Sequence, residues 1–83
     1  MTTTKQIAAL QSALLPGWEG EISADGRHMT LLHGDLQFNA WREGRTVAAN
    51  WTKDTTQEEW DMLQRACQRV WHLGLNPVYR PSR

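Results

Sequence analysis

The chain holds a single cysteine, Cys67. No disulfide can form within it, and one isolated thiol is the usage of a reducing compartment. It lacks any long apolar run. The stretch Ile7-Ala8-Ala9-Leu10 is interrupted by Gln11 and Ser12, far short of the ~20 residues that cross a bilayer. With only Lys5 among its charges, this segment does not read as a signal peptide. An excess of charge is also missing: nine Lys and Arg stand against nine Asp and Glu. That balance lacks the basic footprint of a domain built for nucleic acid, and equally the acidity of a nucleic-acid mimic. There is no glycine-rich phosphate loop, nucleophile elbow or zinc-protease motif, and no internal repeat. These absences point to a cytoplasmic, non-enzymatic protein with no membrane association and no cofactor.

Tryptophan is abundant, with five in 83 residues. A chain this short fits one domain with a thin stability margin. Each aromatic can bury roughly 150–250 Å², so most of Trp18, Trp41, Trp51, Trp60 and Trp71 are expected in the core. The charge is unevenly spread. Asp61 is the last acid, and Arg65, Arg69, His72, Arg80 and Arg83 follow without one.

The spacing predicts a helix over residues 3–15, capped by Thr3 or Thr4 and stopped by Pro16-Gly17, with Ile7, Leu10 and Leu14 on its buried face. Three dipeptides then read as two-residue hairpin turns: Asp25-Gly26 as type I′, Gly34-Asp35 as type II′, and Glu43-Gly44. They divide strands at about 18–24, 27–33, 36–42 and 45–52. Counting outward from each turn pairs Ile22 with Met29, Leu31 with Phe38, and Met29 with Ala40. On the third hairpin it pairs Ala40 with Val47, Phe38 with Ala49, and Leu36 with Trp51. All of these fall on one apolar face, which also takes Trp18. The other face collects Glu19, Glu21, Ser23, His28, Thr30, Leu32, Gln37, Asn39, Trp41, Thr46, Ala48 and Asn50.

A second helix is expected over about 55–73. Thr55 with Glu58, or Thr56 with Glu59, supplies a capping box. Trp60, Leu63, Cys67 and Val70 form its buried stripe, Gly74 is placed as the left-handed residue after its end, and Pro77 and Pro81 make 76–83 an extended tail. The fold class is therefore α+β, a two-layer α-β-β-β-β-α arrangement: a four-stranded antiparallel meander with both helices packed on one face.

The reactive residue types do not assemble. His28 and His33 are five apart on one strand and point to opposite faces, and His72 has no His or Cys a turn away, so no metal site forms. Cys67 sits on a buried helical stripe without a base to activate it. Glu19 and Glu21 share an open sheet face, where their ordinary role is to protect an edge strand. Two features have no evident structural duty. Trp41 falls on the polar sheet face among His28, Leu32 and Asn39, either as a cross-strand packing residue or as a binding anchor. Arg65, Arg69, Arg80 and Arg83 complement the helix dipole or form a patch for an acidic partner or nucleic acid.

The order of helix, strands and helix is similar to the double-stranded-RNA-binding domain. That family has three strands and a lysine-rich start to its second helix, where this chain has Gln57-Glu58-Glu59, so no residue role carries over. A short, neutral, tryptophan-rich chain also looks like the accessory proteins and inhibitors carried by phages and mobile elements. The expected function is a protein-binding module, an inhibitor or adaptor that occupies a surface of a larger protein or complex through Trp41, His28, Leu32 and Asn39. The alternative is nucleic-acid binding through Arg65, Arg69, Arg80 and Arg83, and a homodimer is a further possibility.

Overall fold

A computed structural model describes residues 3–73 of the chain. The elements run α1 (Thr4–Ala13), β1 (Glu19–Ile22), β2 (His28–His33), β3 (Leu36–Trp41), β4 (Thr46–Ala49) and α2 (Gln57–Trp71). The four strands form one antiparallel sheet in the order β1-β2-β3-β4. This is the expected α+β meander. The tail from Gly74 onward lies outside the described residues, and with it the expected roles of Gly74, Arg80 and Arg83.

Both helices begin with capping boxes. Thr3 accepts from the Gln6 amide while the Gln6 side chain accepts from the Thr3 amide, and Thr56 does the same with Glu59. α1 is shorter than expected because Leu14 already has an extended backbone. Its buried face centres between Leu10 and Ala13, which turns Ile7 about 90° away from the sheet. Ile7 is 48% exposed and is not the core residue its spacing suggested. α2 buries all four residues of the expected stripe, together with Met62, Ala66 and Trp71. It ends where His72 adopts the left-handed conformation, φ 58°.

The core lies between the sheet and the two helices. Met29, Leu31, Phe38 and Ala40 of the sheet meet Leu10 and Ala13 of α1 and Leu63, Ala66, Cys67 and Val70 of α2. Trp18, Trp60 and Trp71 are buried. Trp18 stacks on Phe38 at 5.3 Å between ring centroids, and Phe38 in turn lies 5.0 Å from Trp60. Two long-range ties set the helices. The buried Trp71 indole N–H donates to the Gly26 carbonyl at 2.7 Å, and the Arg65 guanidinium reaches the Ala13 carbonyl. No described helix is long and apolar enough to cross a membrane.

The first two hairpins keep the expected register, Ile22 opposite Met29 and Leu31 opposite Phe38. The first turn differs in type. The Asp25 carboxylate accepts from the Ser23 hydroxyl at 2.6 Å and the Arg27 amide at 3.0 Å. Asp25 stays at negative φ, and Gly26 alone takes φ 72°, so the turn is not type I′.

The third hairpin departs in register. Gly44 N–H donates to the Trp41 carbonyl and Trp41 N–H to the Arg45 carbonyl, which makes a three-residue loop, Arg42-Glu43-Gly44, with Gly44 at φ 107°. The extra loop residue slides β4 by one. Phe38 now faces Ala48 and Ala40 faces Thr46. A one-residue slip exchanges the faces of the whole strand. Ala48 packs against the core, while Val47 is 45% exposed and Trp51 39%. Val47, Ala49 and Trp51 are therefore not the core-face residues expected.

Candidate functional site: the uncovered sheet face

Residues alternating with the core positions point away from the helices. On that face lie Glu19 and Glu21 of β1, His28, Thr30 and Leu32 of β2, Gln37, Asn39 and Trp41 of β3, and Val47 and Ala49 of β4. No described element covers them. The slip of β4 makes the face more apolar than the sequence reading supposed, by bringing Val47 opposite Asn39.

Trp41 is held from both sides. Its cross-strand partner is His28, whose imidazole stacks on the indole at 4.7 Å and 15°. The Arg45 guanidinium lies 3.8 Å from the Trp41 ring centroid, a cation–π contact that the three-residue loop creates by placing Arg45 opposite Trp41. Arg45 is further held by Glu43 at 3.5 Å. Neither Arg45 nor Val47 was among the sequence candidates, because both depend on the length of the third loop.

Asn39 is the polar centre of the face. Its side-chain oxygen accepts from Thr30 at 3.0 Å, from the Gln37 amide at 3.3 Å, and from His28 Nε2 at 3.0 Å. An oxygen already receiving hydroxyl and amide protons only accepts, so His28 carries its proton on Nε2. Three donors converge on Oδ1, and the Asn39 amide N–H groups have no partner among the described residues. The sequence candidates His28, Trp41 and Asn39 are thus in direct contact. Leu32 shares the face but lies two cross-strand pairs away, opposite Gln37.

The turns at this end of the sheet frame an open hollow of about 540 Å³, lined by Ser23, Asp25, Arg27 and His28 on one side and Trp41, Arg42 and Glu43 on the other. Hydrogen bonds from Ser23 and the Arg27 amide, with the Arg27 charge adding, hold the Asp25 carboxyl below the usual carboxylate range. The Ser23 hydroxyl there donates to the Asp25 carboxylate at 2.6 Å, a contact within the first turn itself. Among the described residues, no three His, Cys, Asp or Glu side chains come together as a metal cage. Burial pushes the Cys67 thiol up to about 12, the opposite of an activated cysteine.

The second candidate set is on the helical layer. Arg65 donates to the Ala13 carbonyl through Nε and Nη2, and Arg69 Nη1 donates to the Ser12 carbonyl at 2.7 Å and its hydroxyl at 3.1 Å. Both guanidinium groups serve the carbonyls that the end of α1 leaves unpaired. Comparison of the chain with protein-family models, curated proteins and solved structures finds no match.

Proposed function

We propose that this protein is a non-enzymatic, cytoplasmic binding module whose uncovered sheet face docks on a larger protein, as an inhibitor or adaptor would. The observation that carries this reading is the fixed Trp41. Its ring is clamped between His28 and Arg45 on a face that no described element covers, with the Asn39 amide donors, which have no partner among the described residues, and the exposed Val47 beside it. A pre-positioned aromatic anchor loses little freedom on binding, and Trp among adaptable polar groups is the usual composition of an interface hot spot.

The alternative, nucleic-acid binding through Arg65, Arg69, Arg80 and Arg83, asks Arg65 and Arg69 to release the end of α1. The test is capture of partners from a lysate of the source cell with tagged protein, with nuclease and with a Trp41→Ala control. A specific protein that survives nuclease and whose affinity drops by about tenfold or more with Trp41→Ala supports the reading. Recovery that needs nucleic acid and ignores Trp41 overturns it.

A further inference from the structure

The two edges of the sheet are chemically unlike. β1 carries Glu19 and Glu21, and α1 lies against it, with Leu10 packed on Gly20. Two like charges on an edge strand disfavour its pairing with a copy of itself. β4 reads Thr46-Val47-Ala48-Ala49, with neither charge nor proline.

The register shows which backbone groups of β4 have no partner among the described residues. Trp41 and Arg45 form a hydrogen-bonded pair. Pairs alternate along an antiparallel ladder between bonded and non-bonded, so Val47 and Ala49 bond inward to Asn39 and Gln37. Thr46 and Ala48 face Ala40 and Phe38 in non-bonded pairs. Their amides and carbonyls therefore point outward. The outward residues lie symmetrically on either side of Val47, and the strand stops at Asn50, whose φ of 61° turns the chain away.

From this symmetry we infer that the β4 edge pairs antiparallel with β4 of a second copy, about a two-fold axis at Val47 and perpendicular to the sheet. Thr46 of each copy exchanges both backbone hydrogen bonds with Ala48 of the other. Val47 meets its own copy on the uncovered face, where the non-bonded geometry brings the two side chains within roughly 4.5–5.5 Å. Because bonded and facing residues have matching parity, the helices of both copies stay on one side of a continuous eight-stranded sheet. The β3 strands are then three spacings apart, roughly 14 Å, more than the 8–10 Å at which helices pack, so the two α2 helices do not compete for space. Arg45 comes opposite the small Ala49 of the other copy, and the two Arg45 side chains lie more than a Debye length apart. The pairing rests on the β4 edge and not on the Trp41 contacts, and it shares Val47 with the face of the proposed function.

Four backbone bonds on so short a strand bury less than the ~1,200 Å² of the smallest stable interfaces, so association is expected on the order of 0.1–1 mM protein. The test is sedimentation velocity from about 10 μM to about 1 mM on the unaltered protein, Val47→Lys, Val47→Glu and an equal mixture of the two variants, with circular dichroism to confirm folding. Val47 is exposed, so both variants are expected to fold. The expected result is a concentration-dependent dimer for the unaltered protein, monomers for each variant alone, and a dimer for the mixture, at least tenfold tighter than either variant alone. A monomer throughout, dimerisation of Val47→Lys equal to that of the unaltered protein, or a mixture that stays monomeric overturns the inference.

Discussion

The guanidinium of Arg65 in the middle of α2 donates two hydrogen bonds to the carbonyl of Ala13, the last residue of α1, at 3.3 and 2.9 Å. α1 ends without a basic residue in its own last turn, so the compensation for its C-terminal carbonyls comes from the neighbouring helix. Removing Arg65 strands a partly buried carbonyl and loosens the contact between the helices. Arg65→Ala is expected to cost about 1.5–3 kcal/mol, the range for hydrogen bonds to charged groups. Arg69→Ala, whose bonds to Ser12 are exposed, should cost under about 1 kcal/mol. Urea denaturation of both variants checks the order; equal losses would mean that the Arg65 contact is no stronger than a surface one.

Leu10 of α1 packs directly on Gly20 of β1. A Cβ at this position would lie 2.9 Å from Leu10 Cδ2 and 3.1 Å from its Cγ, and Leu10 is only 1% exposed. Gly20→Ala is therefore expected to destabilise by about 1–3 kcal/mol through overpacking, although alanine suits a strand better than glycine. Leu10→Ala alone should cost about 2–5 kcal/mol. The double variant should be more stable than the sum by about 0.5–3 kcal/mol, because the added methyl enters the space that Leu10 leaves. Strict additivity in thermal unfolding would show that the two positions do not meet.

Much of this architecture was legible in the sequence because several local signals agreed. Thr56 and Glu59 marked the start of α2, and Trp60, Leu63, Cys67 and Val70 its buried side. Gly34-Asp35 set the central hairpin correctly, which fixed His28 opposite Trp41. The failure at β4 has a specific cause. Thr46-Val47-Ala48-Ala49 offers an apolar residue to the core in either register, so the agreement of all three hairpins on one apolar face did not test the third loop. Gly44 was the only local guide. A glycine at positive φ suits a two-residue turn and the bulge of a three-residue loop alike. The Arg45 contact on Trp41 was hidden for the same reason. Arg65 and Arg69 were visible as unbalanced cations, but their partners are main-chain carbonyls on a distant helix, which no side-chain pattern announces.

Cys67 supplies a dependence on alkaline pH. Its thiol is buried, and its pKa rises from an ordinary 9.0 to about 12. The folded protein therefore holds this proton after the unfolded chain has released it. The stabilising effect of the buried neutral thiol is complete below pH 9 and is lost as the pH rises from about 9 toward 12, with a limiting slope near ~1.4 kcal/mol per pH unit. Cys67→Ala is expected to flatten that part of the stability profile relative to the parent, whatever its effect at neutral pH. At pH 8 the native thiol should react with a disulfide reagent only as fast as the protein opens. Rapid labelling under native conditions would place Cys67 outside the core.

The register of β4 can be tested by charge placement. Ala48 faces Phe38 and packs on the core, whereas Val47 and Ala49 lie on the uncovered face. Lysine at position 48 must bury its ammonium group or pull the strand off the sheet, and Ala48→Lys is expected to cost more than about 2 kcal/mol. Val47→Lys exchanges one exposed side chain for another and should stay within about 1 kcal/mol of the parent. In the alternative two-residue turn the order reverses, since Val47 would then sit against Ala40 in the core and Ala48 would be exposed. Gly44→Ala probes the loop but not the register, because either turn can hold Gly44 at positive φ. At φ 107° an alanine is strained by about 1–2 kcal/mol in the three-residue loop. Denaturant midpoints for the two lysine variants decide the matter. Ala48→Lys far below Val47→Lys establishes the slipped register, and with it the place of Val47 beside Trp41 and Asn39; the reverse order returns Val47 to the core and removes it from the binding face.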